Sequence, residues 1–91
     1  MKKCGKVPNP ILVLHLKRKY YDLIASGDKV IEYRDMTSYW LQRITPEKKI
    51  VHFYCGYPPK GTPPLVRDIT GITMNAATEQ IEIHLGIPQN F

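Results

Sequence analysis

The segment Gly27-Asp28-Lys29-Val30-Ile31-Glu32-Tyr33-Arg34 brings an amine, a carboxylate and a guanidinium close together along the chain. Side chains alternate across an extended strand, so Glu32 and Arg34, two positions apart, point to one face. At that spacing the two pair directly or share one ligand. The arginine offers a planar fork of donors suited to a phosphate or a base edge. Lys29 stands three positions before Glu32, which on an ideal strand puts it on the opposite face. It reaches the same cleft only if the strand bulges or begins at that point. In a catalytic site, Lys29 would activate water or a hydroxyl, Glu32 would move a proton and Arg34 would hold the anion. A lysine base must shed its proton near neutral pH, which calls for burial or cationic neighbours. Glu32 works against that and Arg34 works for it. The plainer reading is a Glu–Arg pair that orients a strand and does nothing else, because partly exposed ion pairs are common and weak.

A second set is aromatic. Tyr20, Tyr21, Tyr33, Tyr39 and Trp40 are interleaved with Lys17, Arg18, Lys19, Arg34 and Arg43. Aromatic rings beside cations suit stacked bases and their phosphates. Tyr20 reads as core, since it recurs with Leu23 and Ile24 at helical spacing. Tyr39 is the better stacking residue, and Trp40 fits either role. His15, His52 and His84 lack metal-ligand spacing, so no metal site is expected. His15 and His52 read as hydrogen-bonded residues of apolar strands, and His84 reads as facing solvent. No nucleophile elbow or phosphate-binding Gly-rich loop is visible, and no cofactor is expected. Asp68, beside Arg67, faces either the cleft or water.

The elements that would carry these groups are short. Residues 1–10 read as a basic tail with Pro8 and Pro10. Ile11–Leu16 reads as a buried strand, being a continuous apolar run apart from His15. A short helix opens at Lys17–Lys19 and ends at Gly27, which suits the left-handed residue that closes many helices. A second strand follows at Lys29–Arg34. Thr37–Ile44 forms a helical turn or an ordered loop, with Thr37 or Ser38 as N-cap. A third strand is expected at Lys49–Tyr57, then a stiff Pro-rich loop over Pro58–Pro64. A fourth runs over Leu65–Met74 with a bulge near Gly71. The last, Glu79–Leu85, alternates most cleanly: Ile81, Ile83 and Leu85 face one way, Glu82 and His84 the other. Five strands and one or two helices make an α+β domain. Strands this short protect their edges best by curling into a barrel.

Composition bounds the rest. The chain has 91 residues, enough for one domain with one small core. Hydrophobic residues make up 43% and charged residues 23%, the balance of an ordinary globular protein rather than a disordered one. No apolar run approaches the roughly 20 residues of a bilayer span, so no membrane partner is expected. The basic N-terminus lacks the apolar run and small-residue cleavage site of a signal peptide. Cys4 and Cys55 form neither a disulfide framework nor a C-x-x-C pair, so they read as reduced thiols of a cytoplasmic protein. The net charge of +5 is uneven, because all but one of the lysines and arginines lie in residues 1–60. A basic surface of that kind suits a polyanionic partner.

The segment Gly27–Arg34 resembles the G-x-K-x-x-E-x-R signature of the ASCH family, which belongs to the PUA-like superfamily. Its surroundings are similar too: an apolar strand, then Lys-Tyr-Tyr-Asp-Leu-Ile-Ala-Ser, then the motif, with strands near Ile50–Tyr54, Leu65–Ile72 and Ile81–Leu85. The resemblance spans about residues 11–87 and implies one domain over residues 11–91, a small β-barrel of five or six strands. It also implies an RNA- or nucleotide-binding cleft between barrel and helix, lined by Gly27, Lys29, Glu32 and Arg34, with Tyr39 as the stacking residue. Ribonuclease and amidohydrolase activities are associated with the family, so a small hydrolase using Lys29 and Glu32 is the alternative. The amidohydrolase pattern has Thr at the position of Glu32 and a longer segment between the last two strands than Asn75–Thr78.

Overall fold

In the computed structural model, which describes residues 9–87, the chain opens with β1 (Ile11–Leu16). Leu12, Leu14 and Leu16 of this strand are buried, and Val13 between them is 48% exposed. The apolar run therefore alternates instead of being buried on both faces. Eight of the ten residues expected as a tail, Cys4 among them, and residues 88–91 of the expected domain lie outside the described residues.

Helix α1 (Arg18–Ser26) follows at once and ends on Gly27, whose φ of 89° is left-handed. The Gly27 N–H donates to the Ile24 carbonyl, and the Lys29 N–H reaches back to that of Leu23. Ile24 is the buried residue of α1, and Tyr21 packs beside it against the core. Tyr20, expected in the core, is instead 43% exposed. A helix this short offers two apolar stripes that share Ile24, and the sheet takes the one with Tyr21.

β2 (Ile31–Asp35) leads to α2 (Ser38–Arg43), a short helix capped by Thr37. The Thr37 hydroxyl accepts from the Trp40 N–H at 3.3 Å, which satisfies one of the donors a helix start leaves free. β3 (Ile50–Cys55), β4 (Leu65–Asn75) and β5 (Gln80–Leu85) complete the elements.

The sheet order is β1-β3-β4-β5-β2. β1 runs parallel to β3, and the other pairs are antiparallel. β4 serves two partners, pairing first with β3 and then with β5. Between them the register slips at Thr70, next to Gly71, and a bulge there bends the long strand. The result is a five-stranded sheet curled into a half-barrel, with two helices. A closed barrel would pair β1 with β2. Here the two strands end the sheet on either side and leave a seam. The core inside the curl comes from alternate residues of three strands, chiefly Leu14, Val51, Phe53, Ile81 and Ile83, with Ile24 and Ile44 closing it.

Candidate functional site

The motif lies at the seam. β2 pairs Glu32 with Ile83 and Arg34 with Ile81, so both motif residues share the face that carries the buried isoleucines of β5. Glu32 is 5% exposed and is the one buried charged residue among those described. Its two oxygens are divided between two cations. Lys29 Nζ donates to Oε1 at 2.9 Å, and Arg34 Nη2 lies 2.9 Å from Oε2.

Lys29 joins this cluster because it is not part of a strand. β2 begins at Ile31, so strict alternation does not govern Lys29. The left-handed turn at Gly27 and the bond from Lys29 N–H to Leu23 return the chain to the seam. There the ammonium also donates to the Ile31 carbonyl at 2.8 Å. Its third side is aromatic, with the Tyr33 and Tyr20 ring centroids 5.3 and 5.9 Å away. Gly27 therefore takes part through its backbone.

Arg34 spans the gap. Its Nη2 reaches the His15 carbonyl of β1 at 3.4 Å, and its guanidinium carbon lies 4.9 Å from the Trp40 ring centroid. Its Nε is buried with no hydrogen-bond partner among the described residues. The triad leaves one positive charge in excess at a largely covered site. Such a site attracts an anion more strongly than the same charge in open water.

Two walls that touch Arg34, His15 and Trp40, also line a cleft of about 440 Å³ along the outer edge of β1. Tyr39, Arg43, Glu47 and Lys48 also line it. The size suits a small-molecule or nucleotide-sized ligand, for which about 300–1,000 Å³ is usual. Tyr39 is 54% exposed, and the Arg43 guanidinium stacks on its ring at 3.6 Å. Lys29, Glu32 and Arg34 stand beside this cleft and do not line it. The expected site thus divides into a covered triad and an open cleft joined through Arg34.

Sequence patterning did not reveal the aromatic stacking of His15. Its Nδ1 bonds the Gly56 carbonyl at 2.7 Å, as a structural histidine should. Its ring also stacks on Tyr54 and on Tyr57, the latter 87% exposed, where the Pro58–Thr62 loop begins. These residues and Lys60 enclose a hollow of about 280 Å³. Arg67 packs in a way that no sequence motif marks. It turns towards α1, and its Nη2 lies 3.4 Å from two carbonyls of the last helical turn, that of Ala25 and that of Ile24, which also accepts from Gly27 N–H. Asp68 is exposed. His84 faces Thr73 and Glu82 on the outer side of the sheet.

Among the described residues, no group of three or more His, Cys, Asp or Glu is placed to hold a metal ion. Nor is any helix there long and apolar enough to cross a membrane. No family model matches the chain, and no curated protein matches it.

Proposed function

We propose that this chain is an RNA- or nucleotide-binding module of the ASCH type, with a PUA-like barrel and a ligand cleft beside the Lys29–Glu32–Arg34 triad. The observation that carries the proposal is the carboxylate of Glu32, buried at 5% exposure between two cations. Desolvating three charged groups is costly, and an apolar replacement of the same volume is often as stable or more so. A charged triad at a seam is therefore hard to explain by stability alone. Its excess positive charge, held beside an aromatic cleft, suits a phosphate with an attached ring. The uneven basic charge of the chain supports the same class of partner.

Binding is favoured over turnover by the hydrogen bonds. Lys29 Nζ is engaged by Glu32 and by the Ile31 carbonyl, and the residue does not line the cleft. Both Glu32 oxygens are occupied by cations. The link between β4 and β5 is a tight turn over residues 76–79, without the longer segment of the amidohydrolase pattern.

Trp40 is the sole tryptophan and touches both Arg34 and the cleft. Its fluorescence therefore reports on this site directly. Titration with short single-stranded RNA or nucleoside monophosphates is expected to give a saturable change in emission. Unchanged emission across all of them, with no binding by a second method, would refute the proposal.

A further inference from the structure

The outer edge of β1 carries a pattern of capped and uncapped backbone groups. The Leu16 carbonyl accepts from Gly56 N–H on the β3 side, and the Pro10 carbonyl accepts from Lys49 and Ile50. Backbone groups alternate along a strand, so those of Ile11, Val13 and His15 face away from β3, along the free edge. Side chains cap backbone groups at both ends of that edge. The Ile11 N–H donates to Asn9 Oδ1, and Lys48 Nζ lies 3.5 Å from the Ile11 carbonyl. At the other end Arg34 reaches the His15 carbonyl. Among the described residues no side chain bonds the backbone of Val13. The adjacent N–H and C=O of Val13 are thus left open at the middle of the edge, with the His15 N–H beyond them, beside the 440 Å³ cleft that Val13 lines.

An added β-strand needs a row of such pairs, and the capped ends deny it that row. A single donor beside a single acceptor matches a planar group that offers the same two in reverse. In an antiparallel sheet two residues exchange both bonds in this way. The Watson–Crick edge of an unpaired base does the same. Tyr39, Trp40 and the guanidinium of Arg43 supply flat surfaces for the ring, and unstacked bases are bound on aromatic or arginine planes.

We infer that the Val13 backbone reads the Watson–Crick edge of an unpaired nucleobase lodged between β1 and α2. The inference rests on the nucleic-acid reading above and adds the place and mode of base recognition. It requires the base to be out of a duplex, since pairing occupies that edge.

The test compares three ligands of one sequence: a short single-stranded RNA, the same strand with abasic positions, and its perfect duplex. Binding is followed by amide NMR of the full chain. The expected result is a downfield shift of the Val13 amide with the single strand. Affinity should fall about ten- to a hundredfold for the abasic strand and the duplex, the scale of one lost bidentate base contact. Val13→Pro removes the donor where an edge strand tolerates proline, and should cause a similar loss for the single strand. The ligand comparison does not depend on how that variant folds. Equal affinity for the abasic strand, or a Val13 amide that stays still while others move, would overturn the inference and leave RNA binding standing. No binding of any RNA would overturn both. An extended peptide that shifts Ile11, Val13 and His15 together, where RNA does not, would assign the edge to a strand instead.

Discussion

Glu32 is the residue on which the site turns. Its carboxylate is held between Lys29 and Arg34, both largely covered. Removing it leaves two cations facing each other without compensation. Glu32→Ala should therefore destabilise the fold by about 3–5 kcal/mol, the range for breaking a buried ion pair. Urea denaturation would check this, and a loss under about 1 kcal/mol would mean that the triad is well hydrated. The same geometry bears on turnover. With Lys29 Nζ tied to two oxygens and the residue standing outside the cleft, deacylation of an acylated cytidine should be negligible. Rapid deacylation, abolished by Lys29→Ala, would restore the hydrolase reading. The spacing of Glu32 and Arg34 was legible from strand alternation alone. That of Lys29 was not, because its position depends on a helix end and on where β2 starts. The role of Arg34 was half legible: its chemistry followed from residue type, but its reach to His15 follows from two edges that no local pattern brings together.

Among the elements, α1 and its exit decide how the motif is presented. Gly27 has φ near 89°, a conformation that strains any residue with a Cβ. Gly27→Ala should cost about 1–2 kcal/mol in thermal or urea unfolding, and should shift the amides of Lys29 and Glu32. An unaffected variant would show that the turn relaxes freely and does not position Lys29. Strand and helix positions were largely legible, because turn residues and alternating apolar positions mark them in this sequence. The face of α1 was not. Tyr20 and Tyr21 are adjacent aromatics on a helix of nine residues, and the choice between them belongs to the sheet that α1 meets. Tyr20 instead stands by the Lys29 ammonium, which makes it part of the site's surroundings rather than its core.

At the scale of the whole molecule, curling was foreseeable and closure was not. Short strands with exposed edges favour a curled sheet. Whether the first and last strands in the order meet depends on the bend of β4 and on the side chains that fill the seam. Arg34 and the caps on β1 occupy positions that strand pairing would otherwise take. The seam is therefore where charge, aromatic rings and open backbone groups coincide, on a chain whose net charge is +5. Binding driven by phosphate contacts releases counterions, so affinity must fall as salt rises. The most direct test is the affinity for a short single-stranded RNA at two salt concentrations. With about three phosphates contacted, the account predicts a loss of at least about tenfold between roughly 50 and 200 mM salt. An affinity that does not change with salt, or no measurable binding at the lower concentration, would contradict it.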